Sequence, residues 1–450
     1  MNVVIVGGGK LGSNLILELS KEQYNITLIE KDAELCERLT NKFDIIGFVG
    51  NGCHYDTQME ARVSECDIFI SVTSDDETNI IAATMARHIG ADYSIARVRD
   101  PGFAKQSDFM REQMGISMMI NPDYETAEQI GVILEYPAAS SVEEFANGKV
   151  NMIEMPLSDD RLDGITINEF RNRYTDIIVC LILRDGEVII PDGSTIIKKN
   201  DLISVTGTHE DLITFYNDVG LIDKQLKSTL IIGGGRITHY LLKQLNLSQT
   251  EVKVIELKKD VAIQLSHQFP EVIVINGDGS DQDFLNEERI GHFDSVINLT
   301  GIDEENMLIS LYALKMGVEK VITKINRTDL ISLIGATSLQ GIVTPTRLIT
   351  NKILRLIRSI VSKNSDSDIE MLYRIADNQA EAIQFHVRKE MPYTGITLQE
   401  LTFKKGVIMA YIVRNGQLIF PTGQDCIYND DQVIFITTLE NITSIEELLE

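Results

Sequence analysis

The chain has 450 residues, 44% hydrophobic and 24% charged, enough apolar material for roughly two to four globular domains. Its 41 basic and 67 acidic residues leave a net charge of -26, which repels phosphate backbones and anionic headgroups and so argues against nucleic acid or a bare membrane as partner. The five cysteines are scattered, Cys53-His54 lacks further ligands at metal spacing, the N-terminus carries no basic leader, and no apolar run approaches the ~20 residues of a span, so a cytoplasmic protein without a metal is expected.

Short β-branched runs alternate with helical stretches from the first residues. Strands are predicted at Val3–Val6, Ile26–Ile29, Ile45–Val49, Ile68–Val72 and Ser94–Val98. Between them lie predicted helices at Leu11–Ser20, Ala33–Asn41, around Thr57–Val63 and at Asn79–Ile89. This spacing indicates βαβ units and a parallel sheet. A helical connection follows around Pro122–Leu134, and then a shorter, strand-rich part in which Ile177–Arg184 and Val188–Ile190 flank the Asp185-Gly186 turn of a hairpin.

After a boundary near Lys224–Lys227 the whole arrangement recurs at an almost constant shift of about half the chain. Gly7-Gly8-Gly9-Lys10-Leu11 returns as Gly233-Gly234-Gly235-Arg236-Ile237, Glu30 as Glu256, and Gly50-Asn51-Gly52 as Gly277-Asp278-Gly279. Thr73, Asp76 and Asn79 return as Thr300, Asp303 and Asn306, and the Asp185-Gly186 turn as Asn415-Gly416. A second helical connection, Pro345–Ile360, stands where Pro122–Leu134 stood. The predicted fold is therefore α/β: two Rossmann-like, doubly wound parallel-sheet domains, each followed by a small α/β lobe. The expected boundaries are 1–120, 121–140 and 141–223, then 228–343, 344–363 and 368–450.

The chemistry lies in the glycine loops. Gly7-x-Gly9-x-x-Gly12 directly follows a strand and opens a helix: the first glycine permits the tight turn, the second lets backbone approach a pyrophosphate, and the third lets helix and sheet pack closely. The helix N-terminus offers free N–H groups to phosphate. Glu30, at the end of the second strand, suits ribose hydroxyls and disfavours a 2′-phosphate, which points to NAD(H), ATP or ADP as the cofactor. Gly50, Asn51, Gly52 and Cys53 follow the third strand, and Thr73 and Ser74 end the fourth, beside the topological switch point. Lys10 and Arg236 in the loops, with Arg97 and Lys324 on the fifth strands, are the candidate phosphate cations. Thr238 stands where Gly12 does and is expected to push its helix off the sheet, making the second site (Gly233, Gly234, Gly235, Ile237, Glu256, Gly277, Asp278, Gly279 and Thr300) the weaker. Asp75-Asp76-Glu77 and Asp303-Glu304-Glu305 read as capped starts of solvated helices.

No catalytic residue is assigned. The two small lobes share no His, Lys or Tyr: His209 falls opposite Leu439 and His386 opposite Pro156.

Together these residues resemble the RCK (regulator of potassium conductance) family. The most specific stretches are Val72-Thr73-Ser74-Asp75-Asp76-Glu77-Thr78-Asn79 and Ile95-Ala96-Arg97-Val98-Arg99-Asp100-Pro101. The resemblance covers nearly the whole chain as N-lobe, C-lobe, N-lobe, C-lobe. It implies nucleotide binding in the N-lobes, C-lobes that pair with one another, and a homo-oligomeric ring, a tetramer first and a dimer second. It also implies a place on the inner face of the cell membrane, under a membrane-embedded, Trk-type potassium transporter that the nucleotide state regulates. Asn51 and Thr238 depart from the family pattern and leave the ligand and the occupancy of the second site open. Two other readings stand beside this one, an NAD-dependent oxidoreductase and a regulatory subunit of another cation transporter.

Overall fold

The computed structural model describes residues 1–22, 24–104, 107–146, 148–157, 161–220, 226–327, 339, 341–364, 369–376, 379–439 and 442–450. Lys224, in the expected boundary between halves, lies outside them.

The first sheet is formed by β1 (Asn2–Val6), β2 (Asn25–Glu30), β3 (Ile46–Val49), β4 (Ile68–Ser71), β5 (Tyr93–Arg97) and β6 (Met118–Ile120). All pairs are parallel, in the order β3-β2-β1-β4-β5-β6. Successive side chains point to opposite faces, and both faces are covered. Val3, Ile5, Leu28 and Ile70 pack on one side under the helix Lys10–Ser20. Val4, Val6, Ile29 and Phe69 pack on the other with Ala83 and Ala86 of the helix Asp76–Ile89. Burial on two faces is why these strands are nearly continuous apolar runs. The sixth strand is not among the predicted ones: three residues are too short to show a period.

The first C-lobe is an antiparallel sheet of β7 (Ser141–Phe145), β8 (Val150–Pro156), β9 (Ile178–Arg184), β10 (Glu187–Ile189) and β11 (Leu202–Gly207), ordered β10-β9-β11-β8-β7. The predicted hairpin is present, with Asp185 at φ 54° and Gly186 at φ 85°, the pair of left-handed residues that matches strand twist. The second half repeats both sheets. Its parallel sheet comprises β12 (Ser228–Ile232), β13 (Glu251–Glu256), β14 (Ile273–Asn276), β15 (Ser295–Asn298), β16 (Lys320–Lys324) and β17 (Ile342–Val343), ordered β14-β13-β12-β15-β16-β17. Its antiparallel sheet comprises β18 (Ile369–Ile375), β19 (Ala380–His386), β20 (Val407–Arg414), β21 (Gln417–Ile419) and β22 (Gln432–Thr437), ordered β18-β19-β22-β20-β21.

The two halves exchange their connecting helices. The first, Pro122–Glu135, buries Ala127, Ile130 and Ile133 against Ile237, Tyr240 and Leu241 of the second half's glycine-loop helix, Arg236–Gln244. The second, Pro345–Asn364, buries Ile349, Ile353 and Ile357 against Leu11, Leu15 and Leu19 of the first half's. Asn14 donates to the Thr350 hydroxyl at 3.0 Å and Arg358 pairs with Glu22 across the second contact, and Lys352 meets Glu125 at 2.5 Å where the two connecting helices touch. The C-lobe sheets also pack together: Phe145, Met152 and Cys180 of one share a core with Ala382, Tyr411 and Ile436 of the other.

Candidate functional site

β1 ends at Val6, and Gly7 turns the chain with φ 97°, where a Cβ would meet the Thr73 backbone at 3.1 Å; only glycine adopts this conformation freely. Gly8 donates its N–H to Glu30 Oε2 at 2.5 Å, while Lys31 and Asp32 donate theirs to Oε1 at 2.7 and 3.0 Å. Glu30 therefore anchors the loop from behind and shows a carboxylate edge to the cleft. Gly9 caps the helix Lys10–Ser20 without any side-chain cap, and nothing lies within 4 Å of where its Cβ would be. That leaves an open backbone face with unpaired N–H groups, suited to phosphate. At Gly12 a Cβ would fall 1.9 Å from the Gly7 carbonyl oxygen, so close helix packing depends on its absence.

The other wall is tied by Asn79, which is fully buried. Its Oδ1 accepts from the Thr73 N–H at 2.8 Å, the Thr73 hydroxyl at 2.8 Å and the Ser71 hydroxyl at 3.0 Å, and its Nδ2 donates to the Thr73 and Arg97 carbonyls at 3.2 and 2.9 Å. One amide thus joins the ends of β4 and β5 at the switch point. Asn306 does the same for Thr300 and the Lys324 carbonyl, at 2.9 and 3.0 Å. The repeat displayed both asparagines, yet a single letter in a helix does not say what it ties. The reading of Asp76 and Asp303 as solvated helix starts is corrected. Asp76 Oδ2 accepts the Arg99 and Asp100 N–H groups at 2.8 Å each, and Asp303, 5% exposed, accepts from Arg327 and Asn326. Each carboxylate pins the chain leaving the fifth strand, which takes it out of water.

These walls enclose a cleft of about 690 Å³. Gly7, Gly9, Lys10, Leu11, Glu30, Gly50, Gly52, Thr73, Ser74 and Arg97 line it. Gly8 and Gly12 lie behind the loop against Leu39 and the Gly7 carbonyl. Asn51 closes its own turn on the Cys53 N–H at 3.1 Å, and the Cys53 thiol sits 3.3 Å from the Thr78 carbonyl, pushed up in pKa by burial. The opposite rim carries Asp123, from the start of the first half's own connecting helix, and Ile237, Lys324, Asn326 and Thr346 from the other half. Connecting-helix exchange brings them there, so separation in sequence hid this side of the site.

The cations are poorly compensated. The half-buried Arg97 has a buried Nε with no hydrogen-bond partner, and burial, with Arg99 beside it, pushes its pKa down to about 10. Lys324 is 9% exposed and, among the described residues, reaches only the Leu299 carbonyl, at 3.3 Å. Burial pushes its pKa down, Asp123 and Asp303 oppose that, and Lys10 adds to it. A buried cation without an anion is costly, so these groups fit a ligand that brings negative charge.

In the second half Gly233 has φ 105° and Gly234 donates to Glu256 Oε2 at 2.6 Å, as in the first. Arg236, however, pairs with Asp123 at 2.6 Å, and Ile237 is buried in the shared core. The Thr238 hydroxyl donates to the Gly233 carbonyl at 2.5 Å. A Cβ at the matching Gly12 would lie 1.9 Å from the Gly7 oxygen, so the second loop and its helix cannot share the first pair's spacing. Gly277 and Gly279 pack against Phe284 and Ile232, and Asp278 accepts from the Ser280 N–H at 2.9 Å. His209 meets Tyr136 at 2.7 Å and His386 meets Glu370 at 3.1 Å; neither lines the cleft. Among the described residues no cluster of His, Cys, Asp or Glu suits a metal, and no helix is long and apolar enough to cross a membrane.

Fold and site define a tandem of Rossmann lobes with paired C-lobes, an RCK-type nucleotide-binding arrangement. The TrkA-N domain model matches residues 3–122 and 229–345, and the TrkA-C domain model matches 152–220 and 383–450. The chain belongs to the TrkA family. It is 30% identical to the Trk system potassium uptake protein TrkA homolog 2 of Methanosarcina mazei, with 100% of each chain covered. The solved GsuK RCK domain superposes with a TM-score of 0.63 at 17% identity, covering 99% of this chain and 94% of that one. The GsuK channel bound to NAD gives 0.64 at 17% identity, covering 99% and 78%.

Proposed function

We propose that this protein is a nucleotide-sensing regulatory subunit of a membrane potassium uptake system. The observation that carries the reading is the first-half cleft: an open phosphate loop, a ribose-directed carboxylate, and the cations Lys10, Arg97 and Lys324, none of them in an ion pair among the described residues. The family's potassium-uptake name and the NAD on the GsuK neighbour support the same reading. The N–H groups at Gly9–Leu11 hold the phosphates, Glu30 orients the ribose, Thr73 and Ser74 bound the crevice, and Arg97 supplies the charge. NAD(H), ATP and ADP all meet this chemistry.

The cleft spans two lobes, so a ligand that fits one lobe spacing better than another shifts their relative position. Each tenfold shift in population takes about 1.4 kcal/mol of differential binding. The chain acts as a homo-oligomer, a tetramer by preference, docked on the cytoplasmic side of its transporter. Calorimetry with NADH, NAD, ATP and ADP is expected to give saturable binding, while absorbance at the nicotinamide band stays constant with added small-molecule substrates. Steady NADH oxidation would replace the regulator by an oxidoreductase.

A further inference from the structure

The junction between the lobes breaks the symmetry of the repeat at one charged pair. Lys10 and Arg236 hold the same place in the two glycine loops, and Asp123 and Thr346 the same place after Pro122 and Pro345 at the start of the exchanged helices. Arg236 Nε lies 2.6 Å from Asp123 Oδ2. On the other side Thr346 offers no carboxylate, and the Lys10 ammonium has neither ion pair nor hydrogen bond among the described residues. Lys324, from the second half, and Arg97, from the first, face the same cleft as Lys10. Among the described residues the Arg97 Nε is buried without an acceptor, and the only acceptor for the Lys324 ammonium is a carbonyl at 3.3 Å. One loop cation, Arg236, is therefore spent on a protein carboxylate, while Lys10, Arg97 and Lys324 face a cleft that Asp123 also lines and none of the three is in an ion pair among the described residues.

Resting on the nucleotide-binding reading above, we infer that the chain takes one nucleotide, at the first loop, with Lys324 of the second half as a phosphate contact. The Asp123 carboxylate stands in the second loop as a built-in anion. Thr238 works in the same direction, because its hydroxyl is bonded to the Gly233 carbonyl and its Cβ bars the close approach of loop and helix that Gly12 allows in the first half. The two halves then have different tasks: one binds the ligand, and the other reports its presence through Lys324 across the exchanged helices.

The test is calorimetry on the full chain with ATP, ADP and NADH as probes. One nucleotide per chain is expected. Asp123→Thr, which writes into the first helix the residue the second already carries, is expected to open a second and weaker site; Asp123→Asn is the isosteric check if the threonine variant is poorly folded. Lys324→Met is expected to weaken the first site about tenfold, a loss of about 1.4 kcal/mol, with Lys324→Arg restoring most of it. Two equivalent sites in the unaltered chain, no second site in either folded Asp123 variant, or unchanged affinity in Lys324→Met would each overturn the inference. Absence of binding by every nucleotide would instead remove the parent reading, so the two failures are distinguishable.

Discussion

Gly12→Val is expected to weaken nucleotide binding at the first loop at least a hundredfold, about 2.7 kcal/mol, while leaving the C-lobes folded. A Cβ there would lie 1.9 Å from the Gly7 oxygen and 3.0 Å from the Gly7 carbonyl carbon, both backbone atoms that cannot rotate away. The helix Lys10–Ser20 must move, and the N–H groups at Gly9–Leu11 move with it. Thr238 shows what a side chain at this position requires, since its hydroxyl satisfies the Gly233 carbonyl at 2.5 Å. Valine brings the same bulk without that bond, so a stability loss of about 1–3 kcal/mol is also expected. Gly12→Thr should keep the fold better yet still lose binding. Calorimetry with a parallel denaturation curve checks both; an affinity within twofold of the unaltered chain would mean that close packing at Gly12 does not matter.

Lys320→Met is expected to stabilise the protein at pH 7 by roughly 1–2 kcal/mol. Lys320 opens β16, is 4% exposed, and among the described residues its ammonium meets a single acceptor, the Ala139 carbonyl, at 2.5 Å. Burial pushes its pKa down to about 8, against about 10.4 for a free lysine. Below pH 8 both folded and unfolded chains carry the proton, and the folded state bears a charge-burial penalty of about 3 kcal/mol. Between pH 8 and the free-lysine value the unfolded chain binds more protons, so this residue's contribution to stability rises with pH. Methionine removes that rise. It also leaves the Ala139 carbonyl unpaired, a cost of about 1 kcal/mol or somewhat more, which is why the net gain is smaller than the penalty. Denaturant midpoints of both chains at pH 7 and 9.5 give the answer: the difference should shrink as pH rises. A variant less stable at pH 7, with an unchanged pH slope, would contradict it.

Much of the first site was legible because its constraints are local. A strand end, a glycine at positive φ and a carboxylate at the next strand's end all fall within about one βαβ unit, and Gly7, Gly9, Glu30 and Thr73 stand together in one cleft. The repeat also made the two sheets of each half legible, since strand alternation and Asp-Gly or Asn-Gly turns occur twice. The joining of the halves was hidden. The apolar stripe Ile349, Ile353, Ile357 announces that a helix face is buried, but not that it lies on Leu15 of the opposite half. For the same reason the Asp123 to Arg236 pair and the placing of Lys324 at the first cleft could not be read from spacing. Arg236 and Lys10 look interchangeable as letters, and only the carboxylate beside one of them separates their roles.

The central claim, that nucleotide at the first loop sets the activity of a potassium transporter, is tested most directly by flux. The partner transporter is reconstituted into vesicles with and without this protein, and potassium uptake is recorded while ATP, ADP or NADH is titrated. The account predicts that uptake depends on the protein, that at least one nucleotide changes it saturably, and that Gly12→Val makes the chain deaf to that nucleotide while it still docks. Uptake indifferent to the protein and to every nucleotide, or a Gly12→Val chain that responds as the unaltered one does, would contradict it.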